Sequence, residues 1–234
     1  MTRLAEGRST HLDRSEIAVE TLRLFDEGND PSIRQLAKVL GVTPSAIYHH
    51  FDSRAKIVQA AVELVWYEIL AESFDEIGDP FEADPLEFLL TTAFVTRRVF
   101  SRHYAIAPYL AATPESDELS ANTLAIMANV FERLGLTGTD AAEAFHAYAS
   151  YVFSNSLFAA NRLAANAELD ISTVEPGRLE RFRSEADGEV AQRSSPETRA
   201  AIDGVMDISM VDPERDSELF ATGLRRLLDS MVPA

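Results

Sequence analysis

The chain has 234 residues and no cysteine, which excludes disulfide frameworks, thiolate zinc sites and cysteine nucleophiles. Its length is enough to bury a large core, and we expect a cytoplasmic protein because neither a secretion signal nor an apolar run of about 20 residues is present. The formal net charge of −17 argues against nucleic-acid binding over the whole surface.

The charge is unevenly distributed along the chain. Residues 1–60 hold as many basic as acidic side chains, so the whole negative excess lies beyond residue 60. Residues 32–57 contain one carboxylate, Asp52, against four cations, which are Arg34, Lys38, Arg54 and Lys56. This segment is therefore locally basic within an acidic protein.

An amphipathic helix is predicted over residues 13–26, because apolar residues recur there at helical spacing. Asp13 or Ser15 can cap its first turn. Residues 28–31 (Gly-Asn-Asp-Pro) then break the pattern, since glycine and asparagine favour turns and proline disfavours helix in the residue before it.

Two short helices follow. Ser32 is a suitable cap for the first, and Gly41 is a suitable end. Thr43 can cap the second, which has Pro44 at its first position and extends to His50. Two short helices joined by a tight glycine turn predict a helix-turn-helix motif.

The remainder of the chain also has helical periodicity, interrupted by loops at 75–84 and 135–138. Residues 170–216 are polar and contain several prolines and glycines, which predicts a mobile connector with one helix near 197–206. The predicted helices are Ser53 to Phe74, Pro85 to Tyr104, Ile106 to Ala112, Glu118 to Leu134, Thr139 to Asn166 and Ser217 to Met231. No alternation of period two is found, so the predicted class is all-α.

The helix-turn-helix segment has an apolar side for packing and an outer side suited to DNA. The predicted packing residues are Ile33, Leu36, Ala37, Leu40, Val42, Ile47 and Phe51. The side chains available outside are small or polar, or are cations and hydroxyls of the kind that hold phosphates. The predicted DNA contacts are Ser32, Arg34, Thr43, Pro44, Ser45, Ala46, Tyr48, His49, Arg54 and Lys56. The alternative is a helical hairpin whose charges only form a solvated face.

The same segment resembles the N-terminal domain of TetR-family transcriptional repressors. The matching motifs are Leu36-Ala37, Leu40-Gly41, Val42-Thr43, Ile47-Tyr48-His49-His50-Phe51 and the basic residue Arg54, where many members have lysine. The resemblance implies a DNA-binding domain over 1–57 and a ligand-binding and dimerisation domain over 58–234. It also implies a homodimer that binds a palindromic duplex operator and is released by a small-molecule effector.

Two kinds of DNA contact are implied by the resemblance. Arg34 matches a position that reaches a base edge, whereas Tyr48 and Arg54 match positions that contact phosphate. We expect the loss of Arg34 to relax sequence specificity, and the loss of either phosphate contact to weaken binding to all sequences.

Beyond residue 58 the layout resembles the tetracycline-repressor type, in which histidines help to hold a drug–magnesium complex. Tyr109 and Leu70 stand at those positions here, so tetracycline–magnesium is not expected, and neither a metal nor another cofactor is predicted. Aromatic and polar residues on apolar helices are the ligand candidates. The predicted ligand contacts are Trp66, Leu70, Phe94, Arg98, His103, Tyr109, Phe131, His146, Tyr151 and Asn155.

A homodimer is predicted through the helices at 139–166 and 217–231. The first carries a stripe of alanine and serine broken by bulky Tyr151 and Phe158, and the second carries an apolar stripe too wide for one neighbour. The alternatives are an all-α enzyme and an interaction module without DNA binding. No HExxH, GxSxG or phosphate-binding glycine loop is present, and neither alternative explains the basic segment at 32–57.

Overall fold

The computed structural model describes residues 12–112, 117–168, 195–197, 200 and 213–232. Almost all of these residues are helical, and no strand occurs among them. The α-helices in this part of the chain are α1 (Arg14–Asp26), α2 (Ile33–Leu40), α3 (Pro44–Tyr48), α4 (Arg54–Ile77), α5 (Pro85–Arg102), α6 (Ala107–Ala112), α7 (Asp117–Arg133), α8 (Gly138–Glu168) and α9 (Pro213–Met231).

The first five helix starts can be explained by capping side chains. Each cap accepts a hydrogen bond from a backbone N–H in the first turn, which satisfies a donor that would otherwise lack a partner. The caps of α1 to α5 are Asp13, Ser32, Thr43, Ser53 and Asp84. In α1 and α2 the third residue, Glu16 or Gln35, also accepts from the backbone N–H of the cap and completes a capping box.

The turn between α2 and α3 depends on Gly41, whose φ of 71° lies in the left-handed region. An added Cβ would meet no atom within 4 Å, so the cost of a side chain comes from the backbone conformation alone.

We therefore expect Gly41→Ala to lower the free energy of unfolding by about 1–2 kcal/mol, measured by urea denaturation. Val39→Ala, at an exposed position of α2, is the control and should change it by less than about 0.5 kcal/mol. Equal effects from the two substitutions would contradict this explanation of the turn.

Helices α1, α2 and α3 pack with the first turns of α4 around one apolar cluster. Its buried members are Ile17, Leu24, Leu36, Ala37, Ile47, Phe51 and Ile57. Ile33, Leu40 and Val42 pack at its edge, so all seven packing residues expected from the sequence are in the cluster. The predicted helix-turn-helix is confirmed.

A second apolar cluster lies between α4, α5, α6 and α8. It includes Val65, Trp66, Val99, Phe100 and Ile106, and Phe25 at the end of α1 belongs to it as well. The long helix α4 contributes to both clusters and is continuous through residue 57, where the sequence places a domain boundary. That boundary stays a prediction.

The chain divides into two compact units. One is formed by residues up to 164 together with 231–234, and the other by residues 165–230. In the second unit, α9 buries Phe220, Leu224 and Leu228.

Several helix ends differ from the sequence-based prediction by one to four residues. Helix α4 continues three residues past Phe74 and ends at Gly78, the first residue there with a positive φ. Helix α3 stops at Tyr48, two residues early. Helix α9 begins at Pro213 rather than Ser217, because proline is well tolerated at the first helical position.

The predicted connector at 170–216, and the helix near 197–206 within it, lie outside the described residues except for 195–197, 200 and 213–216. Among the described residues, none of the helices is both long and apolar enough to span a membrane.

Candidate DNA-binding surface and ligand cavity

The ten predicted DNA contacts lie on α2, on α3, at the helix caps or on the first turn of α4, and none of them is buried. Ala46 and Arg54 are half-buried and the other eight are exposed. Arg34, Tyr48 and His49 form no side-chain hydrogen bond or ion pair with any other described residue. These three side chains are therefore available to a partner.

Four of the ten predicted DNA contacts also have local roles. Ser32 and Thr43 accept hydrogen bonds as caps, at 3.3 Å from the backbone N of Gln35 and of Ala46. Lys56 donates from Nζ to Gln59 Oε1 at 2.9 Å. Pro44 opens α3. The short helices thus use several of their polar side chains to fix their own ends.

Arg54 is held within the protein. Its Nε donates to the carbonyl oxygen of Pro31 at 2.9 Å, and its guanidinium forms an ion pair with Asp30. These contacts join the start of α4 to the turn that precedes α2. The structure therefore gives Arg54 a positioning role that the sequence did not indicate, and its contact with phosphate stays a prediction.

The turn at Asp30 also contacts α6. The Tyr109 hydroxyl donates to Asp30 Oδ2 at 3.3 Å, and the Tyr109 ring packs edge-on against Phe25 with centroids 5.5 Å apart. Asp30 thus contacts both Arg54 of α4 and Tyr109 of α6.

His103 makes a second link at the end of α1. Its side chain is almost fully buried, with Nδ1 2.8 Å from Asp26 and Nε2 2.9 Å from Glu68. Both contacts are hydrogen bonds only when each ring nitrogen carries a proton. His103 thereby connects the end of α5 to α1 and α4.

An ion-pair network ties α4 to α5 at the surface. Arg98 contacts Glu72 and Glu76, and Arg102 contacts Glu68 and Glu72. Hydrogen bonds from Arg102, and then from Arg98, lower the pKa of Glu72. The predicted ligand contact Arg98 is thus engaged on the outside of the helix pair.

A cavity of about 560 Å³ lies between α4, α5, α6, α7 and α8. As far as the described ranges line it, its wall is apolar and rich in aromatic rings, with five serine or threonine side chains and no charged residue. The aromatic residues of the wall are Trp66, Phe88, Phe100, Phe145, Tyr148 and Phe153. A cavity of this size and composition is typical of a site for a small organic molecule.

Two of the ten predicted ligand contacts, Trp66 and Leu70, line this cavity. The other eight do not, and they are Phe94, Arg98, His103, Tyr109, Phe131, His146, Tyr151 and Asn155.

Three of these eight show why position on an apolar helix does not by itself locate a ligand contact. Phe131 is buried against Phe145 and Tyr148, whereas His146 is exposed. Asn155 donates to the backbone oxygen of Tyr151 at 2.9 Å. Contact of these residues with a ligand stays a prediction.

The hydroxyl-bearing residues of the cavity wall are not among the ligand contacts predicted from the sequence. Thr92 and Thr96 are four residues apart on α5, and Ser73 is on the facing side of α4. The available signal was threonines at i and i+4 between the apolar residues Phe88, Leu89, Ala93 and Phe100, which puts both on one helix face.

Residues 19–61 match the family model for bacterial regulatory proteins of the tetR family. None of the curated proteins compared with the chain matches it in sequence. The structure is similar to the Streptomyces coelicolor TetR family protein ActR in complex with (S)-DNPA, with a TM-score of 0.71, 17% identity, and coverage of 95% of this chain and 98% of that one.

Two further solved structures are similar. SCO7222, a TetR transcriptional regulator from Streptomyces coelicolor, gives a TM-score of 0.70 at 19% identity and covers 95% of this chain and 98% of its own. A TetR variant from Acinetobacter baumannii AYE in complex with minocycline gives 0.57 at 22% identity, over 70% of this chain and 83% of that one.

The helix-turn-helix and the helices that follow it define an all-α protein of the helix-turn-helix class. Residues 19–61 are similar in sequence to bacterial regulatory proteins of the tetR family, and the fold is shared with TetR-family structures along 95% of the chain.

Proposed function

We propose that the protein is a repressor that binds a palindromic duplex operator as a homodimer and is released when a small molecule enters the cavity. The observation that carries this proposal is the position of α6. Leu110 of α6 lines the cavity, and the preceding residue, Tyr109, contacts the turn that holds Arg54. One short helix therefore connects the ligand site to the DNA-binding helices.

The proposed coupling follows from these contacts. A ligand that displaces Leu110 also moves Tyr109, and thereby alters its contacts with Phe25 and Asp30. Asp30 holds Arg54, so the orientation of the helix-turn-helix relative to α4 changes. At most, such a ligand lowers the affinity for DNA by the factor by which it binds more tightly to the conformation that does not bind DNA.

The named ligands of the similar structures support a small-molecule effector. ActR has been solved with (S)-DNPA and with actinorhodin, and the Acinetobacter protein with minocycline. We infer an organic effector for this chain, and a cytoplasmic regulator whose contacts with DNA come from α2, α3 and the start of α4.

The proposed DNA contacts can be tested through salt dependence. We expect Lys56→Ala to weaken binding to random duplex DNA and to reduce the slope of log K against log salt by about 0.9, because one fewer phosphate is neutralised. Fluorescence anisotropy across a salt series measures the slope.

Arg23→Ala is the matched control for that experiment. Arg23 is an exposed cation on α1 that is already paired with Glu20 and Glu27, and it lies outside the helix-turn-helix. Its loss should leave the slope unchanged. Equal slopes for wild type and Lys56→Ala would contradict the placement of Lys56 at DNA.

The proposed dimer uses the exposed apolar side chains of α8. Phe158 is 64% exposed, with the Arg162 guanidinium carbon 5.0 Å from the centroid of its ring, so much of the ring is open to a partner helix. We expect Phe158→Glu to weaken the dimer at least roughly tenfold, because a carboxylate would be buried in the interface. Sedimentation equilibrium at micromolar concentration measures this.

Phe81→Glu is the control for the dimer test. Phe81 is 52% exposed, in the loop between α4 and α5. The Phe81→Glu substitution should leave the molecular mass in solution unchanged. A monomeric wild-type protein would contradict the dimer, and an equal loss in both variants would place its interface elsewhere.

A further inference from the structure

The described residues of the cavity wall offer nothing that would neutralise a charged ligand. None of these side chains is ionic, and the phenol among them, Tyr148, donates to the backbone oxygen of Leu89 at 2.8 Å. Burial raises the pKa of Tyr148, so this hydroxyl stays neutral. A charged molecule entering the cavity would lose its hydration without gaining an ion pair, which is unfavourable.

Most of the well-buried hydroxyl groups in the wall already donate a hydrogen bond within the protein. Ser73 Oγ donates to the backbone oxygen of Ile69 at 2.7 Å, and Thr96 Oγ1 donates to that of Thr92 at 2.8 Å. With Tyr148, three hydroxyls of the wall are committed to backbone carbonyls. They retain the ability to accept a hydrogen bond but have no hydrogen left to donate.

Two polar atoms on side chains of the wall are not paired in this way. Trp66 Nε1 and Thr92 Oγ1 are both buried, and neither has a hydrogen-bond partner within the described ranges. An indole N–H can only donate, and a threonine hydroxyl can donate or accept. Buried polar atoms normally have partners, so these two atoms leave hydrogen-bonding capacity unused. Both atoms are closed to solvent in this structure, so a ligand oxygen would reach them once binding shifts the side chains around them.

The aromatic part of the wall favours a flat ring system. The Trp66 ring meets Phe100 and Phe153 edge-on, with centroids 5.7 and 5.2 Å away. Aromatic edges and faces attract another ring beyond the effect of buried area.

We propose that the cavity binds an uncharged, mainly apolar aromatic compound whose carbonyl or ether oxygen accepts a hydrogen bond from Trp66 Nε1 or Thr92 Oγ1. This inference rests on the proposed function in one respect, since it identifies the chemical class of the effector. The unpaired donors select for an acceptor, and the uncharged wall selects against a carboxylate.

Three probes test this inference by isothermal titration calorimetry on the full chain: fluorenone, fluorene and a fluorenone carboxylate. Fluorenone and fluorene have the same ring system and differ by one carbonyl oxygen. We expect fluorenone to bind about fivefold more tightly than fluorene, the effect of one net hydrogen bond. The carboxylate should bind roughly tenfold more weakly than fluorenone, or less well still.

The location of the probe can be followed directly, because Trp66 is the single tryptophan of the chain. Fluorenone bound in the cavity should quench its fluorescence with the dissociation constant that calorimetry gives. Binding without quenching would place the probe elsewhere and overturn the inference.

Variants then identify the donor. Trp66→Phe keeps an aromatic ring, Thr92→Val keeps the size of the side chain, and each removes one of the unpaired atoms. At least one of the two should abolish the preference for fluorenone. Thr96→Val is the matched control, since its hydroxyl already donates to a carbonyl, and it should preserve the preference. A preference that survives in the Trp66→Phe, Thr92→Val double variant would overturn the assignment.

Three results with the wild-type protein would also overturn the inference: equal binding of fluorene and fluorenone, carboxylate binding as tight as that of fluorenone, or no binding by any probe.

DNA binding of the same preparation without probe is measured in parallel by anisotropy. Loss of DNA binding would contradict the proposed function while leaving the probe selectivity interpretable. Intact DNA binding with the wrong selectivity would contradict only the inference about the cavity.

Discussion

Replacing Arg34 with alanine should lower affinity for the operator by about 5- to 150-fold and change affinity for random duplex DNA much less. Arg34 is exposed on α2, and its guanidinium has no partner in the described part of the chain. A bidentate arginine–guanine pair contributes about 1–3 kcal/mol of discrimination, which gives the expected range. The measurement is a pair of binding isotherms, one on a duplex that the wild-type protein selects from a random library and one on the unselected pool.

Tyr48→Phe serves as the comparison for Arg34→Ala. Tyr48 is 52% exposed on α3, and its hydroxyl is proposed to contact phosphate. Its removal should weaken binding to both duplexes by a similar factor. If Arg34→Ala lowers both affinities equally while Tyr48→Phe affects only the selected duplex, the two roles are reversed.

An effect of Arg54→Ala on DNA binding has two possible causes, because Arg54 also contacts Asp30 and Pro31. Arg54→Ala would remove a proposed phosphate contact and also release the turn before α2. Asp30→Asn keeps Arg54 but weakens the ion pair, so comparing the two variants separates the intramolecular role from contact with DNA.

The second large effect is expected on stability. His103→Ala should lower the free energy of unfolding by about 3 kcal/mol, because it leaves Asp26 and Glu68 without the buried group that joins them. Both carboxylates are partly exposed, which keeps the effect below that of a fully buried ion pair. Urea denaturation followed by circular dichroism measures the loss.

His146→Ala is the matched control, since His146 is an exposed histidine on α8. It should change the free energy of unfolding by less than about 0.5 kcal/mol. Similar values for the two variants would show that the His103 contacts contribute nothing to stability.

The sequence was most informative where structure is determined locally. The caps Asp13, Ser32 and Thr43, and the left-handed Gly41, lie within a few residues of the helix ends that they set, so a single sequence predicts them. The packing of the helix-turn-helix was predictable for a related reason. The spacing of its apolar residues places them on one side of each short helix, and this side faces the core.

The cavity could not be located in the same way. Tyr109 and Trp66 are both aromatic residues in apolar segments, yet Trp66 lines the cavity whereas Tyr109 contacts Asp30. The difference depends on how α4, α5 and α6 pack, and this involves partners up to 79 residues apart in the chain. His103 is a similar case, since its partner Asp26 is 77 residues away.

Selection of DNA from a random duplex library tests the central claim most directly. We expect the wild-type protein to enrich an inverted repeat, with half-sites spaced by about one helical turn or a multiple of it, as a two-fold dimer requires. The Arg34→Ala variant should enrich a less specific set. Recovery of a pool no different from the input, at low salt and with dimeric protein, would contradict the assignment of the helix-turn-helix to DNA recognition.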